Sequence, residues 1–325
     1  MTKMSIDTSK LHTRQRNIAL ATAAISVLVG GLQLFFYLTG YEFDIGLYRH
    51  GFYPTLTALL WLISGAAVVA YSMTLPQKGI CEELILPHSS LLDFTALIAT
   101  ASLAGLLFTI FLFRNSPADQ LILLLNSTLE TDSTARSMLL LSLAAAIPSI
   151  IHFVLLFYKR VNHPLGITAL LLFVSFSALQ SYSDMRTLLM SPRRVLHLMA
   201  LLAVMLFLIA ELRMARGLCG SRFYFASASL TVVFAFGDAF SNLALSLFGW
   251  QTLGTELTIY FFLLSIALFA FSRIFSFIDN DTNSSKTVIT LVYPDGSEPS
   301  ETDPDQDPQK DLSTEGTEMT KESDQ

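Results

Sequence analysis

Apolar residues along this chain fall into eight long runs separated by short polar breaks. The runs lie at 17–38, 53–73, 92–113, 138–158, 164–182, 195–215, 223–250 and 257–278. Each run holds about twenty residues, which is the length that a helix needs to cross a hydrocarbon core about 30 Å thick. The pattern therefore predicts eight transmembrane helices.

The predicted fold class is all-α: a polytopic transmembrane helix bundle with a disordered acidic C-terminal tail. Residues 196–210 are apolar on every face apart from an occasional histidine, whereas the strands of a membrane barrel alternate apolar and polar residues. Only 14% of the residues are charged and the mean hydropathy is +0.54, whereas soluble proteins carry about 25% charged residues. Lipid is therefore the expected solvent for most of the chain.

Charge divides the chain into a basic segment at 1–16, a transmembrane domain at 17–278 and an acidic tail at 279–325. Residues 1–278 carry 17 Lys and Arg against 13 Asp and Glu, and residues 279–325 carry 3 against 13. With the N-terminus inside, twelve Lys and Arg lie at inner span ends and six at outer ends. Basic residues near span ends favour the cytoplasmic side, so the sequence predicts a plasma (inner) membrane protein with both termini in the cytoplasm.

Two loops leave parts of this topology open. The loop at 183–194 would expose Arg186, Arg193 and Arg194 outside, and a fifth span that failed to cross would reverse every later assignment. In the loop at 114–137, Ser116 and Pro117 are typical of a helix start. That start predicts a short helix on the outer surface, with a re-entrant pore helix as the alternative.

The tail contains one apolar island within a polar sequence. Pro, Ser, Thr, Asp and Glu dominate from residue 295 onward, which predicts disorder. The island is rich in β-branched residues and suits strand addition to a partner's sheet; alternatively it is a juxtamembrane segment with no partner. The candidate partner residues are Thr287, Val288, Ile289, Leu291 and Tyr293. The expected partners are thus the lipid bilayer and a cytoplasmic protein, and no basic stripe indicates nucleic acid.

Ionisable residues inside the spans are the first candidates for function, because charge is costly in lipid. Asp238 is the deepest, about 22 Å from the cytoplasmic end of its span. It is either a cation or proton site facing the bundle interior or a buried carboxyl that holds a neighbouring helix by a hydrogen bond. The candidate intramembrane polar site consists of Asp238, Ser241, Asn242 and Gln33.

A second intramembrane group is His152, one turn after Pro148. It lies about 9 Å from the cytoplasmic side, at a depth that permits contact with Glu211 but not with Asp238. Its alternative role is to satisfy the backbone carbonyl that the proline leaves free. A continuous proton path through these three ionisable groups is not expected.

Charged residues at the inner ends of the sixth and seventh spans are candidates for contact with lipid headgroups. Long side chains there reach the interface, and an arginine cluster is also suited to binding anionic lipid. These candidate interfacial residues are Glu211, Arg213, Arg216 and Arg222.

Catalytic motifs are present only in broken form. Intramembrane aspartyl proteases carry Gly-x-Gly-Asp, whereas Asp238 ends the sequence Ala-Phe-Gly-Asp. Residues 62–65 read Leu-Ile-Ser-Gly and lack the first glycine of the rhomboid motif Gly-x-Ser-Gly. Cys81 and Cys219 have the spacing of neither a zinc site nor a disulfide framework. The sequence therefore predicts no enzyme activity, metal site or cofactor.

One stretch of the chain is similar to a known pattern. It comprises Ser191-Pro192-Arg193-Arg194, a leucine-rich span with Met205-Leu206-Phe207, then Glu211-Leu212-Arg213, Gly217 and Arg222-Phe223-Tyr224. This combination resembles a family of uncharacterised polytopic membrane proteins of anaerobic Gram-positive bacteria. The resemblance implies a bacterial inner-membrane location and carries no activity with it.

Two functions remain in competition at this level. The first is a non-enzymatic sensor or accessory subunit whose tail contacts cytoplasmic machinery, which the missing motifs and the apolar island favour. The second is a small-solute or ion-coupled transporter with a site near Asp238, which the polar cluster and the eight spans favour. Four plus four spans would permit an inverted repeat, but no internal repeat is evident in the sequence.

Overall fold

The structure is a computed structural model, and it describes residues 8–43, 47–49, 51–75, 79–80, 90–115, 133–159, 162–183, 191–248 and 256–283. Within these residues it contains eight long helices. They are α1 (Thr8–Gly40), α2 (Phe52–Met73), α3 (Ser90–Asn115), α4 (Ser133–Lys159), α5 (Pro164–Ser183), α6 (Pro192–Met214), α7 (Ser221–Leu247) and α8 (Glu256–Asn283). All eight are long and apolar enough to cross a membrane, so the predicted all-α, multi-pass bundle is confirmed.

Several helices extend beyond the apolar runs that predicted them. α1 begins at Thr8 and α4 at Ser133, and α8 continues through polar residues to Asn283. An apolar run marks only the part of a helix that needs lipid around it, whereas backbone hydrogen bonds continue into the polar interface. The predicted boundary between the membrane domain and the tail, at 278/279, thus falls inside a helix.

Helix α7 forms the centre of the bundle. It packs against α1, α2, α6 and α8, and 72% of its most apolar stretch is buried within the protein. Small residues let neighbouring helices approach it closely. A Cβ atom added at Gly237 would lie 3.1 Å from the Val29 side chain on α1, and Thr22 donates a hydrogen bond to Ser229 at 3.2 Å.

Further contacts connect the outer helices in sequence from α3 to α6. α3 packs against α8 and α4, α4 against α5, and α5 against α6. Many of their large apolar side chains face outward, for example Leu165 at 74% and Leu62 on α2 at 66% exposure. Exposed leucines of this kind suit a surface that contacts lipid.

Short antiparallel strand pairs lie at the two ends of the bundle. β1 (Tyr41–Glu42) pairs with β2 (Leu47–Tyr48) between α1 and α2. β3 (Gly79–Ile80), after α2, pairs with β4 (Cys219–Gly220), between α6 and α7. We call the end of the bundle that holds β1 and β2 the hairpin end, and the opposite end, which holds β3 and β4, the β3–β4 end.

The fifth helix runs from one end of the bundle to the other. Asn162, just before α5, donates a hydrogen bond to Glu211 near the end of α6. At the far end of α5, the Tyr182 carbonyl accepts a hydrogen bond from Arg194 at the start of α6. α5 and α6 therefore run antiparallel along the length of the bundle, and a fifth helix that crosses the membrane in full stays a prediction. The segments 116–132 and 284–325, which include the predicted surface helix and the partner residues, lie outside the described residues.

Candidate functional site

Asp238 lies on the central helix α7 and is 1% exposed. Its Oδ2 atom is 2.8 Å from Nδ1 of His197 on α6, and its Oδ1 accepts a hydrogen bond from the Asn242 side chain at 3.1 Å. Both carboxylate oxygens therefore have a protein partner. The Asp238–His197 contact is an ion pair whenever the imidazole is protonated.

His197 is the residue that the sequence analysis missed, because it stood alone in an apolar run. Its side chain is 12% exposed, and it lies one and a half turns into α6. The pairing of α6 with α7 determines its position. Tyr224 contacts Glu211 and Thr231 contacts the Ala203 carbonyl, so equal steps along the two antiparallel helices bring His197 to Asp238.

Ser241 and Asn242 belong to the predicted site, but they act differently. Ser241 donates to the backbone carbonyl of Asp238 at 3.1 Å, which is a bond within one helix. The Asn242 amide nitrogen donates to the same carbonyl at 2.8 Å and to the carboxylate. The Asn242 Oδ1 atom is buried and has no hydrogen-bond partner among the described residues.

Gln33 makes its side-chain hydrogen bonds to residues other than Asp238. Its Oε1 accepts a hydrogen bond from the Trp61 indole at 3.2 Å, and its amide donates to the Tyr48 hydroxyl at 3.2 Å. Thr57 donates to the same hydroxyl. Gln33 therefore connects α1 to α2 and the hairpin, a role that the sequence could not separate from a place beside Asp238.

Three tyrosines form an aromatic cluster at the hairpin end, which we call the tyrosine cluster: Tyr37, Tyr41 and Tyr48. The rings of Tyr37 and Tyr41 are 5.0 Å apart, and those of Tyr37 and Tyr48 are stacked at 6.2 Å. Burial raises the pKa of Tyr48, and the hydrogen bonds from Thr57 and Gln33 oppose that shift. The cluster packs against Leu245 of α7, two turns beyond Asp238.

The Tyr37 hydroxyl is the member of the tyrosine cluster that interacts with Asp238. It is buried and has no hydrogen-bond partner among the described residues, yet it interacts electrostatically with both Asp238 and Arg193. Arg193 in turn donates to the Tyr260 hydroxyl at 3.1 Å and lies 5.7 Å from the centre of that ring. The Tyr260 ring contacts His197 edge-on at 5.4 Å. Side chains from α1, α6, α7 and α8 thus surround the Asp238–His197 pair.

A second buried ionic centre lies near the opposite end of the bundle. Arg273 of α8, which is 0% exposed, donates to both carboxylate oxygens of Glu211, at 2.9 and 3.2 Å. Tyr224 donates to the same carboxylate at 2.6 Å and Asn162 at 3.2 Å. We call this group the Glu211 network.

The Glu211 network corrects the placement of Glu211 at the lipid headgroups. Glu211 is 1% exposed, and its carboxylate is occupied by three neighbouring side chains, so it faces the interior of the bundle. Sequence depth alone could not distinguish an inward from an outward face at that level. The countercharge, Arg273, is one of the twelve basic residues that the predicted topology places at inner span ends.

The three arginines predicted to be interfacial differ in their contacts. Arg213 and Arg216 are exposed, and the Arg213 guanidinium lies 5.5 Å from the Phe223 ring centre. Arg222 donates to the Leu75 backbone carbonyl at 2.6 Å and joins the end of α2 to the start of α7. Lipid contact therefore stays a prediction for Arg213 and Arg216, whereas Arg222 has a protein partner.

His152 does not join either ionic centre by a hydrogen bond. It is 3% exposed, and its Nδ1 atom has no partner among the described residues. Its ring packs against the backbone of α5 at Gly166, where an added Cβ atom would overlap the imidazole. The structure therefore places His152 in the packing of α4 against α5.

The described residues contain no group of three or more His, Cys, Asp and Glu side chains able to hold a metal ion. They define a multi-pass membrane protein with two buried ionic centres joined to the central helix. No known protein family, curated protein or solved structure matches the chain.

Proposed function

We propose that this protein is a proton-coupled membrane transporter whose coupling site is the Asp238–His197 pair. The observation that carries the proposal is the direct 2.8 Å contact between a buried carboxylate and an imidazole on the central helix of the bundle. Ionisable residues inside membrane helices are costly, and they commonly mark ion or proton pathways.

The chemistry of the pair favours a proton over a metal cation. Histidine changes its charge within the physiological pH range, and one histidine with one carboxylate is fewer ligands than a structural or catalytic metal site uses. Protonation turns the contact from a hydrogen bond between a neutral imidazole and the carboxylate into an ion pair, so it strengthens the attraction between α6 and α7. A change of that kind at the central helix is suited to shifting the bundle between two conformations.

The principal competing explanation is that Asp238 only holds two helices together. Interhelical polar contacts in membranes commonly serve packing, and the Glu211 network, with every carboxylate oxygen bonded, fits that role. The Asp238 site differs because Oδ1 of its hydrogen-bond partner Asn242 and the hydroxyl of Tyr37, which interacts electrostatically with Asp238, have no hydrogen-bond partner among the described residues. Buried polar atoms without partners are costly, and a site that binds something is one way to satisfy them.

A sensor or accessory subunit is the second candidate. One feature favours it: the buried Arg273 lies on α8, the helix that leads into the tail, so a change in the Glu211 network would reach the tail directly. In either role the protein is proposed to be non-enzymatic, to lie in the plasma (inner) membrane and to have both termini in the cytoplasm.

A pH jump tests the transporter proposal without knowledge of the transported solute. The purified full chain is reconstituted into liposomes adsorbed on a solid-supported membrane, and the external pH is switched rapidly. We expect a transient displacement current in the wild type, because protons enter a site buried within the bundle. Asp238→Asn removes the charge with little change of shape and is expected to abolish that current.

Glu42→Gln is the matched control, since Glu42 forms an exposed ion pair with Arg49 at the hairpin end. It removes a carboxylate of the same protein outside the site, and we expect it to preserve the current. The proposal is refuted if the wild type gives no current above that of empty liposomes, or if the Asp238→Asn current equals that of the wild type.

A further inference from the structure

We infer that the Asp238 site binds a primary ammonium group, and that this cation and the proton on His197 exclude each other. The inference rests on the proposed function and names the solute class of the same site. Three oxygen atoms carry it: a carboxylate oxygen of Asp238, Asn242 Oδ1 and the Tyr37 hydroxyl oxygen.

The orientation of the Asn242 amide is fixed by its neighbours. Its nitrogen lies 2.8 Å from the Asp238 carbonyl oxygen and 3.1 Å from the Asp238 carboxylate. A flipped amide would bring its oxygen against these two acceptors, which cannot donate a hydrogen bond. Oδ1 is therefore the free atom, and it is an acceptor that requires a donor.

A second open position is the Tyr37 hydroxyl, which is buried, unpaired among the described residues and close enough to Asp238 to interact electrostatically. A primary ammonium has three N–H donors. In the inferred complex these donors would bind the Asp238 carboxylate, the Asn242 amide oxygen and the Tyr37 phenol oxygen.

The bound ammonium would compete with the proton because His197 lies 2.8 Å from the same carboxylate. Two positive charges that close together repel each other strongly in a medium of low dielectric constant. When the ammonium binds, the imidazolium proton leaves to water, and the site keeps one positive charge. Such a site exchanges one cation for one proton.

The other charged or titratable groups described around the pair do not provide this competition. They are Arg193 on α6, Tyr260 on α8 and the tyrosine cluster at the hairpin end. Arginine stays charged and tyrosine stays neutral at about pH 5–8. Arg193 therefore weakens cation binding equally at every pH in this range and adds no pH dependence.

The test is calorimetric titration of the purified full chain in detergent with methylammonium, the smallest primary organic ammonium. Titrations in phosphate and in HEPES, neither of which contains a primary amine, report the number of protons released per cation. We expect this number to approach one at low pH, with affinity falling about tenfold for each pH unit once the pair is protonated. Tetramethylammonium has no N–H donor and is expected to bind at least about tenfold more weakly.

Three variants separate the parts of the inference. Asp238→Asn should remove methylammonium binding. Asn242→Leu should weaken it about tenfold, because one acceptor is lost. His197→Gln should make the binding independent of pH and free of proton release. Glu42→Gln is the control outside the site.

Equal affinity for the two ammonium ions, or proton release that persists in His197→Gln, would overturn the inference. Absence of methylammonium binding would also overturn it, since water alone would then occupy the acceptors. A pH-jump current that survives without methylammonium binding leaves the proposed function standing, whereas the loss of both results rejects both.

Discussion

At the scale of single residues, the two buried acids of this protein are compensated in different ways. Glu211 is paired with Arg273, whose charge is permanent, and its remaining bonds come from Tyr224 and Asn162. Asp238 is paired with His197, whose charge depends on pH. A permanent ion pair stabilises one arrangement of helices, whereas a conditional pair can stabilise two. Under the proposed function, Glu211 has a structural role and Asp238 is the residue whose pairing changes with protonation.

The structural role of the Glu211 network is tested by Arg273→Met. The substitution leaves the Glu211 carboxylate buried without its countercharge, and removing one partner of a buried pair costs about 3–5 kcal/mol. We expect a loss of that size in the free energy of unfolding, measured by equilibrium unfolding in mixed detergent micelles. The double variant Glu211→Gln with Arg273→Met should lose less, because no unpaired charge remains.

The exposed ion pair between Arg49 and Glu42, at 3.0 Å, is the control for this measurement. Exposed pairs contribute about 0–1 kcal/mol, so Arg49→Met should leave the unfolding free energy nearly constant. A cost for Arg273→Met no larger than the cost for Arg49→Met would show that the buried pair does not stabilise the bundle.

At the scale of helices, the sequence predicted depth but not direction or neighbours. It predicts separate depths for Asp238 and Glu211, and in the structure the two acids bind different partners, His197 and Arg273. The apolar run of α6 gave no sign that His197 faces Asp238. Membrane helices pair through packing between small residues, and a single sequence does not show which helices are neighbours. Matching depths across antiparallel neighbours would have found His197, had α6 and α7 been taken as partners.

The contact between α4 and α5 gives an element-scale prediction. Gly166→Ala places a methyl group in the space of the His152 ring, and overpacking of this kind costs about 1–3 kcal/mol. We expect a lower midpoint of thermal unfolding in detergent, measured from the loss of the helical circular dichroism signal. Adding His152→Ala should recover part of the loss, because the overlapping ring is removed.

Gly31→Ala is the matched control, because Gly31 is exposed on α1 and an added Cβ meets nothing within 4 Å. An alanine there is expected to leave the midpoint unchanged or raise it, since glycine is the weaker helix former. Equal midpoints for Gly166→Ala and the wild type would mean that α4 and α5 separate more easily than their packing implies.

At the scale of the whole molecule, the number of spans was predictable and their arrangement was not. Eight apolar runs are sufficient to count eight helices, yet the central position of α7 depends on which faces pack together. Charge shows the same limit. Arg273 is 0% and Arg194 7% exposed, so neither is available to the membrane surface. Arg273 belongs to the predicted inner side and Arg194 to the predicted outer side. Leaving both out of the count therefore keeps the excess of basic residues on the predicted inner side.

The orientation of the whole bundle is tested by cysteine accessibility in living cells. Native Cys219 is a poor probe, since it is buried and burial raises the pKa of its thiol to about 11, which leaves little reactive thiolate at neutral pH. Better sites are Leu218, 64% exposed at the β3–β4 end, and Arg49, exposed at the hairpin end. Each is changed to cysteine in a background with both native cysteines replaced by serine.

We expect Arg49→Cys to react with a membrane-impermeant maleimide in intact cells, and Leu218→Cys to react only after permeabilisation. The reason is that an odd number of crossings separates the two ends of the bundle, and the basic residues retain the β3–β4 end in the cytoplasm. The reverse pattern would place both termini outside and reject the cytoplasmic tail on which the sensor hypothesis depends. Labelling of both sites from the same side would contradict the eight crossings themselves.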